Sequence, residues 1–518
     1  MSRRAAWRSY LVLAALGLLL GVIVAVLVEQ PGYTDAYYYF NAGQRLVQGD
    51  GLTDPYLWTY INAPDALPGS SHTYWMPLAS LVAAAGMAVG GAHFGAAQVP
   101  FVFCFAALVA VGGWAGAAFG MSRRHFWMAG LLVLFAGFFT PFWATTDTFA
   151  LFGLAGALAL ASLGQGRQTG DWRWYALAGA LSALGHLARA DGLLLALVLI
   201  VVALWPGRGQ CPRGAVVGVI AYLLVMLPWF VRNLDAIGTP LPTGGLQTAW
   251  LRGYDELVNY PPGTTLGEFL DWGWDNILRS RWEAFVANLS TFIAVETWIV
   301  LGPFVLLGLW QRRRDPRLLG VILYAVGLHA AMTLVFAYPG LRGGLFHSSS
   351  ALLPFWAALG VIGLDSALDW AAARRGWRAP EARIVFGGAL LVLAALLSGG
   401  MLLARGPELN DNAVFYRTLG ADLPADAVVM INDPPGLYYH AGRGGVVVPN
   451  AAPDVIPEIA RRYGVTHLLL DANRTAPFDG LYAGTETYPF LSLVQVYAAG
   501  TDSERQLYRI ERAQNGGS

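Results

Sequence analysis

The sequence predicts a polytopic α-helical membrane protein with about 11 spans plus juxtamembrane helices, followed by a C-terminal extracytoplasmic α/β domain. Of the 518 residues, 56% are hydrophobic and 13% are charged, whereas soluble domains carry about 25% charged residues. Long apolar runs recur up to about residue 404, and short strand-like and helical segments follow them. The 33 basic and 33 acidic residues balance, so no net basicity points to nucleic acid.

Eleven apolar runs are interpreted as membrane spans. The first, residues 11–28, follows three arginines and lacks a small-residue cleavage site, so it is interpreted as an uncleaved signal anchor. A span needs about 20 residues to cross a core of about 30 Å. The other ten runs are residues 96–120, 126–142, 149–163, 174–188, 192–205, 215–231, 289–310, 318–338, 351–370 and 384–403. The short run at about 76–91, which includes Pro77, is predicted to be a juxtamembrane helix.

Arginine placement indicates the orientation, because cytoplasmic loops are enriched in basic residues. If residues 76–91 do not cross the membrane, the connections on the side of the N-terminus hold sixteen of the 33 basic residues. These are Arg3, Arg4, Arg8, Arg123, Arg124, Arg167, Arg173, Arg208, Arg213, Arg312, Arg313, Arg314, Arg317, Arg374, Arg375 and Arg378. If that run crosses, the bias is inverted from Arg123 onward. We therefore predict a cytoplasmic N-terminus, with loops 29–75, 232–288 and 339–350 outside.

Two domains are expected. Residues 1–404 form the transmembrane domain, and residues 405–518 form the extracytoplasmic α/β domain. In the second domain, short strands are predicted at 428–431, 445–448, 466–470, 491–497 and 506–510, with a helix at 456–463. Cys104 and Cys211 are too few and too badly placed for a disulfide framework or a zinc site.

The first outer loop, residues 29–75, carries the most informative chemistry. Asp35 follows the first span within a few residues and precedes the aromatics Tyr37, Tyr38 and Tyr39. A carboxylate partly desolvated among aromatic rings suits a general base that acts on a hydroxyl. The alternative is that these tyrosines form an interfacial aromatic belt.

Two later turns add acidic and basic groups on the same predicted side. Asp147 follows Thr146 at the outer end of a hairpin, where a helix N-cap is the alternative role. Arg189 and Asp191 form a tight turn between two spans, where they could simply pair with each other.

Arginines are scarce on the outer side, so each one there calls for a local reason. Arg232 ends the segment from Pro228, and Arg342 is followed by two glycines and then by His347. Such a guanidinium suits an anionic group, and glycines let the backbone approach a phosphate. Anchoring to lipid head groups is the alternative for Arg342. For His347 and for His72 of the first loop, an ordinary surface histidine remains equally open, and neither is assigned to a metal.

These residues together resemble the GT-C superfamily of integral-membrane glycosyltransferases, close to the group of the protein mannosyltransferases and the lipid A aminoarabinose transferases. The resemblance covers about residues 10–405 and lies in Asp35 with Tyr37 and Tyr38, in the segment from His72 to Pro77, in Asp147, in Arg189 with Asp191, and in the segment 228–233. It implies an inverting transferase that moves a sugar from a polyprenyl-phosphate donor to an acceptor hydroxyl on a lipid, glycan or protein.

The resemblance also implies roles for individual residues. Asp35 is expected to be the catalytic base and Asp147 to orient the acceptor, while Arg189, Arg232, Arg342 and His347 bind the donor phosphate. Tyr37, Tyr38, His72, Tyr74, Trp75 and Asp191 are expected to contact substrate. Many members have two adjacent acids where this chain has Asp35 and Ala36. The departure favours a reaction without a metal or other cofactor, in which arginines neutralise the leaving phosphate.

Two other functions are alternatives to a transferase. A transporter or flippase would carry polar residues near the membrane midplane in interrupted helices, and His186, Glu296, His329 and Asp365 are candidates that look scattered in the sequence. A non-catalytic scaffold whose C-terminal domain binds a partner is the third possibility. Neither explains the acids and arginines expected at the outer ends of the spans.

Overall fold

The computed structural model describes residues 3–511, with side chains from Trp7 onward, so the side chains of Arg3 and Arg4 lie outside the described set. The helices up to residue 410 are α1 (Arg3–Leu27), α2 (Thr34–Gln48), α3 (Leu78–Gly90), α4 (Phe94–Gly120), α5 (Arg123–Leu134), α6 (Phe149–Thr169), α7 (Trp172–Ala188), α8 (Leu193–Leu204), α9 (Pro212–Ile237), α10 (Gly244–Gln247), α11 (Leu266–Asp271), α12 (Trp274–Thr291), α13 (Gly302–Arg312), α14 (Leu319–Ala330), α15 (Ala337–Pro339), α16 (Leu345–Ser349), α17 (Leu353–Arg375) and α18 (Ala379–Asn410). The first loop adds β1 (Thr53–Asp54), β2 (Tyr56–Leu57) and β3 (Gly69–Ser70).

The helical part confirms a polytopic membrane protein. Among the described residues, seven helices are long and apolar enough to cross a membrane by length and composition. They correspond to seven of the eleven predicted runs. The other four runs form shorter or interrupted helices, namely α5, α7, α8 and the pair α12 and α13. Helix α3 has 13 residues and reaches only about 20 Å at about 1.5 Å per residue, which is short for a span.

Two predicted spans, residues 126–142 and 289–310, are interrupted within their apolar runs. Helix α5 ends at Leu134, and the Phe135 carbonyl accepts a hydrogen bond from Trp298 Nε1 at 2.7 Å. Trp298 and Ile299 have φ angles of 49° and 67° and follow a π-helical turn, Phe292–Glu296, that ends α12. Backbone groups that leave a helix at membrane depth need partners inside the protein. Here the side chain of Trp298, at one interruption, bonds to the free carbonyl of Phe135, at the other.

The polar residues of the bundle are paired rather than scattered, which corrects the sequence interpretation. His329 Nε2 lies 3.2 Å from Glu296 Oε1, and Trp356 Nε1 donates to the same carboxylate at 2.8 Å. Asp365 pairs with Arg124 at 2.5 Å. His186 Nδ1 and Tyr222 OH lie 2.5 Å apart. Each group thus has a local partner, as buried polar groups require.

The C-terminal α/β domain is built on a sheet that takes one strand from the first loop. Its elements are α19 (Ala413–Asp422), β4 (Val429–Met430), α20 (Pro434–Ala441), β5 (Gly445–Val446), α21 (Ile456–Tyr463), β6 (His467–Leu470), α22 (Asp479–Tyr482), β7 (Leu491–Tyr497) and β8 (Arg505–Ile510). The order of the six strands is β2-β5-β4-β6-β8-β7. Strand β2 pairs in parallel with β5, with Tyr56 opposite Gly445 and Leu57 opposite Val446.

All five predicted strands and the predicted helix at 456–463 are present in this domain. The participation of β2 was not predicted. It brings the first loop, whose first helix is α2, into one hydrogen-bonded sheet with the end of the chain, and α18 runs without a break past residue 405 to Asn410.

Small residues let α13 and α17 pack at close range. A Cβ atom built on Gly363 would lie 1.9 Å from the Phe304 carbonyl oxygen, and one on Gly308 would lie 2.0 Å from the Leu359 carbonyl oxygen. Without a hydrophobic driving force between helices in lipid, such contact relies on small residues.

Gly363→Val should therefore destabilise the protein, because the added side chain forces α13 and α17 apart. Overpacking typically costs about 1–3 kcal/mol, and thermal unfolding of the purified protein in detergent measures it. Gly400→Val is the matched control, because a Cβ at Gly400 of α18 meets no atom within 4 Å. Equal effects of the two substitutions would contradict the packing argument.

Candidate functional site

The candidate site forms where α2 begins. Asp35 lies in the first turn of α2 and is partly exposed. The hydroxyl of Thr146 donates to the carbonyl of Ala36 at 2.8 Å, so the loop before α6 is bonded to the backbone beside Asp35. As a result, Asp35, Asp147 and His347 offer one oxygen or nitrogen atom each, all within 4.8 Å of one another.

Asp147 is almost fully buried and is held by three donors. Tyr33 OH donates to Oδ2 at 2.7 Å, His347 Nε2 lies 2.9 Å from the same oxygen, and the backbone N–H of Thr148 donates to Oδ1 at 2.5 Å. Asp147 does not take the alternative role of helix N-cap, because Thr148 occupies the N-cap position of α6 and no side chain caps that helix. The Asp147 side chain joins the residue before α2 to α16, which carries His347.

His347 is oriented by contacts on both sides of its ring. Its Nδ1 lies 2.8 Å from the carbonyl oxygen of Gly343, and its ring stacks on Phe149 with centroids 3.9 Å apart. With Nδ1 directed to a carbonyl, Nε2 is directed to Asp147. This arrangement fixes the ring relative to the carboxylate.

The two carboxylates have opposite pKa shifts. Burial and the nearby charge of Asp147 raise the pKa of Asp35 to about 7, against the lowering effects of His347 and Arg189. Burial alone would raise the pKa of Asp147, but the charge of His347 and the hydrogen bonds from His347, Tyr33 and Thr148 outweigh it and lower that pKa to about 2. Near neutral pH, Asp147 is ionised and Asp35 can exchange a proton.

Arg189 lies on the same side of the bundle and does pair with Asp191. Its Nε lies 3.1 Å from Asp191 Oδ1 and donates to Ser348 Oγ at 3.0 Å, and the Ser348 hydroxyl donates to the other Asp191 oxygen. Ser348 follows His347 directly. Arg189 is therefore tied to the segment that carries His347, and its charge acts on both Asp35 and Asp147.

Arg342 lies in a cavity beside this cluster. The cavity has a volume of about 890 Å³, and its lining residues are Arg252, Gly253, Tyr254, Asp255, Glu256, Trp272, Tyr338, Leu341, Arg342 and Asn450. The guanidinium of Arg342 is exposed, lies 4.7 Å from the ring centre of Tyr254, and has no carboxylate partner within the described chain. Burial, followed by the charge of Asp35, raises the pKa of Tyr254 to about 12, which places this cavity within electrostatic reach of the acid.

Arg232 and His72 lie together but not in the Asp35 cluster. Arg232 donates to the carbonyl oxygen of Ser71 at 2.5 Å and lies over the ring of Trp229 at 4.9 Å. His72 is fully buried between the hydroxyls of Ser71 and Ser80, at 2.7 and 3.0 Å. Burial and the charge of Arg232 lower the pKa of His72 to about 3. Both side chains already have protein partners that hold the first loop.

Among the aromatic residues of the first loop, Tyr37 and Tyr38 are buried, whereas Tyr74 is only partly buried. Tyr38 is buried, its OH accepts the backbone N–H of His72 at 2.5 Å, and its ring lies 4.7 Å from that of Trp75. Tyr74 is partly buried, and the charge of Asp35 is among the causes that raise its pKa. Tyr37 is buried, with its OH 2.9 Å from His440 Nε2 of the C-terminal domain.

Asp35, Asp147 and His347 are also the described residues that could hold a cation together. Two carboxylates and an imidazole are acceptable ligands for a divalent ion. However, the Nε2 of His347 and an oxygen of Asp147 are already directed at each other, and ligation would have to replace that bond.

Sequence reasoning missed several contributors. Tyr33, two residues before Asp35, could have been found because it stands in the same acidic and aromatic segment. Ser348 and Tyr254 carry no signal of their own in the sequence. His440 and Asn450 could not have been placed near the site, because His440 lies 403 positions from its partner Tyr37.

No protein-family model and no curated protein matches the sequence. Among solved structures, the chain is similar to ArnT from Cupriavidus metallidurans bound to undecaprenyl phosphate, with a TM-score of 0.58 and 15% identity over 96% of this chain and 97% of that chain. It is also similar to the apo state of ArnT, with a TM-score of 0.59 and 15% identity over 98% of each chain. The predicted resemblance is thus confirmed at the level of the fold, including the C-terminal domain.

Proposed function

We propose that the protein is an inverting glycosyltransferase that moves a sugar from a polyprenyl-phosphate donor to an acceptor hydroxyl, with Asp35 as the base. The observation that carries the proposal is the meeting of Asp35, Asp147 and His347 at the start of α2, with atoms within 4.8 Å. The fold shared with ArnT supports the donor class, because one of the two ArnT structures holds undecaprenyl phosphate.

Asp35 suits the removal of a proton from a hydroxyl. A general base works best when its pKa lies near the working pH, and the pKa of Asp35 is raised to about 7. The acceptor oxygen bonds to the anomeric carbon as its proton passes to Asp35, and the bond from that carbon to the phosphate oxygen breaks. A single displacement inverts the configuration at the anomeric carbon.

The leaving phosphate needs a positively charged group that is not already paired with a carboxylate. Arg342 meets this need best, because its guanidinium has no carboxylate partner in the described chain and faces the cavity of about 890 Å³. Arg189 adds charge beside Asp35 while it remains paired with Asp191. Charge fixed in advance lowers the cost of charge that develops in the transition state. Asp147 then orients the acceptor, and His347, 2.9 Å from the Asp147 carboxylate, adds a nitrogen beside the donor phosphate. Tyr74, whose pKa responds to the charge of Asp35, and Asp191, the partner of Arg189, are further candidates for substrate contact.

The donor phosphate sits at the depth of the lipid head groups, so the site must lie at one membrane surface. The arginine distribution supports a surface on the side opposite the cytoplasm. We therefore propose a multi-pass protein of the plasma membrane with a cytoplasmic N-terminus, whose C-terminal domain covers the site from outside. The acceptor is a lipid, glycan or protein hydroxyl within that compartment.

Asp35→Asn should lower kcat by about 10²–10⁴-fold, the usual contribution of a general base, while binding of the polyprenyl-phosphate donor persists. In the wild type, kcat/KM should rise with pH through a limb near pH 7, because Asp35 has to lose its proton to act. Transfer of radiolabelled sugar by the purified protein measures both.

Asp54→Asn is the matched control for this test. Burial raises the pKa of Asp54 to about 7 as well, but its charged and bonded neighbours are Tyr38, Arg45 and Arg232. The pH limb should survive in this variant. If Asp35→Asn retains full turnover, the proposed base is wrong.

Arg342→Gln should weaken binding of undecaprenyl phosphate, because the phosphate loses a charged donor. Hydrogen bonds to charged groups contribute about 1.5–3 kcal/mol, which corresponds to roughly a 10- to 100-fold rise in Kd. Arg252→Gln is the control in the same cavity, since Arg252 is already paired with Glu256 at 2.8 Å. Equal rises in Kd would contradict the special role of Arg342.

Treatment with a chelator should leave sugar transfer unchanged, because we propose that arginines rather than a divalent ion neutralise the phosphate. Transfer is measured before and after incubation with excess chelator, followed by removal of the chelator and addition of Mg²⁺, Mn²⁺ or Zn²⁺. Loss of transfer that a metal restores would instead assign the cluster of Asp35, Asp147 and His347 to a cation.

A further inference from the structure

One helix of the C-terminal domain lies directly on the helix that carries Asp35. The OH of Tyr37 in α2 lies 2.9 Å from His440 Nε2 in α20, and the side-chain amide of Asn41 donates to the carbonyl of Pro435 at 2.9 Å. Tyr37 and Asn41 are both fully buried. Helix α20 is thus bonded to one side of α2 along its first two turns.

Asp433, the residue before α20, lies near Thr34, the residue before Asp35. Asp433 caps α20 by accepting the backbone N–H of Gly436 at 3.2 Å, and it accepts the hydroxyl of Tyr416 at 3.2 Å. Burial raises the pKa of Asp433, and the hydroxyl of Thr34 lies near enough to this carboxylate to oppose that rise. Thr34 directly precedes Asp35, so Asp433 lies beside the chain before the proposed base, and α20 is bonded to the chain after it through Tyr37 and Asn41.

The helical bundle also holds the chain around Asp35, through Tyr33 and Ala36. Thr146 OH donates to the carbonyl of Ala36 at 2.8 Å, and Asp147, the next residue, accepts from Tyr33 OH at 2.7 Å. The chain that carries Asp35 is therefore held beside Asp147 by hydrogen bonds from the bundle and by hydrogen bonds from a domain that follows hundreds of residues later.

We propose that α20 is a working part of the catalytic site, with Asp433 and His440 as positioning residues that hold Asp35 against Asp147. The inference rests on the proposed function, in which Asp35 is the base. The C-terminal domain is then required for the chemical step itself and not only for covering the site.

The charge of Asp433 provides a test, because a residue with a purely structural role would not shift the pH dependence of kcat/KM. The groups that act electrostatically on Asp35 are Asp147, His347, Arg189 and Asp433, and the pKa values of Tyr33, Tyr39, Tyr74 and Tyr254 respond to Asp35 in turn. Asp433→Asn keeps a good N-cap and removes one negative charge. Because a negative charge raises the pKa of Asp35, its removal should move the limb of kcat/KM to lower pH.

The hydrogen bond between Tyr37 and His440 is tested with a matched pair of tyrosine variants of the full-length protein. Tyr37→Phe should lower kcat by roughly 10- to 100-fold, as small misplacements of a catalytic group do, with little change in the KM for undecaprenyl-phosphate sugar. Tyr60→Phe should leave kcat unchanged, because Tyr60 OH donates to Val447 O at 2.6 Å and so links the first loop to the C-terminal domain away from α2. His440→Gln, which keeps a polar partner, should retain more turnover than His440→Leu.

Amide hydrogen exchange in α2 gives a readout that does not depend on activity. Tyr37→Phe should speed exchange in residues 35–40 relative to Tyr60→Phe, because local opening becomes easier when a tether is removed. Unchanged exchange together with unchanged kcat and an unmoved pH limb in Asp433→Asn would overturn this inference while leaving the transferase intact. If the wild type transfers no sugar from any polyprenyl-phosphate donor, the proposed function fails, and exchange alone then decides whether α20 fixes α2.

Discussion

The buried Asp147 carboxylate is the constraint on which the rest of the site depends. A charge out of contact with water is tolerated only when donors surround it, and here Tyr33, His347 and the backbone of Thr148 do so. Those same donors bring together the segment before α2, the start of α6 and α16. The ionised Asp147 adds to the effect of burial and makes it more costly for Asp35 to lose its proton, so the same carboxylate contributes to both the geometry and the acidity of the site.

The irregular parts of the helical bundle serve this arrangement. The segment Gly340–Gly344 departs from helical geometry at Arg342 and Gly343, where φ of Gly343 reaches 105°. That turn leaves the Gly343 carbonyl free to orient His347 and directs Arg342 toward the cavity. An uninterrupted helix through this segment would use the carbonyl internally. The regular helices thus form the bundle, and the irregular segment Gly340–Gly344 presents polar groups to the site.

Much of the architecture was predictable from the sequence because it follows from local patterns. Apolar runs predicted the helical bundle, and short strand-like and helical segments predicted β4 to β8 and the helix at 456–463. The interruptions at Phe135 and at Trp298 were not predictable, since each is stabilised by the other across 163 positions. The pairing of Glu296 with His329 and the joining of β2 to β5 were hidden for the same reason. At the site, acids and arginines could be named from their positions at the ends of spans, but Asp433, His440 and Asn450 lie in segments whose composition carries no hint of proximity to Asp35.

The parallel pairing of β2 with β5 also has a consequence for biogenesis. Tyr56 emerges from the ribosome early, whereas its partner Gly445 is synthesised almost four hundred residues later. Until then the edge of the first loop has no strand to pair with, and contacts this distant in the chain form slowly. The first loop therefore cannot form this strand pairing until nearly every helix has been synthesised, and it completes its fold only near the end of translation. Chains truncated before Gly445 would keep the bond from Arg232 to Ser71 but would lack this strand pairing.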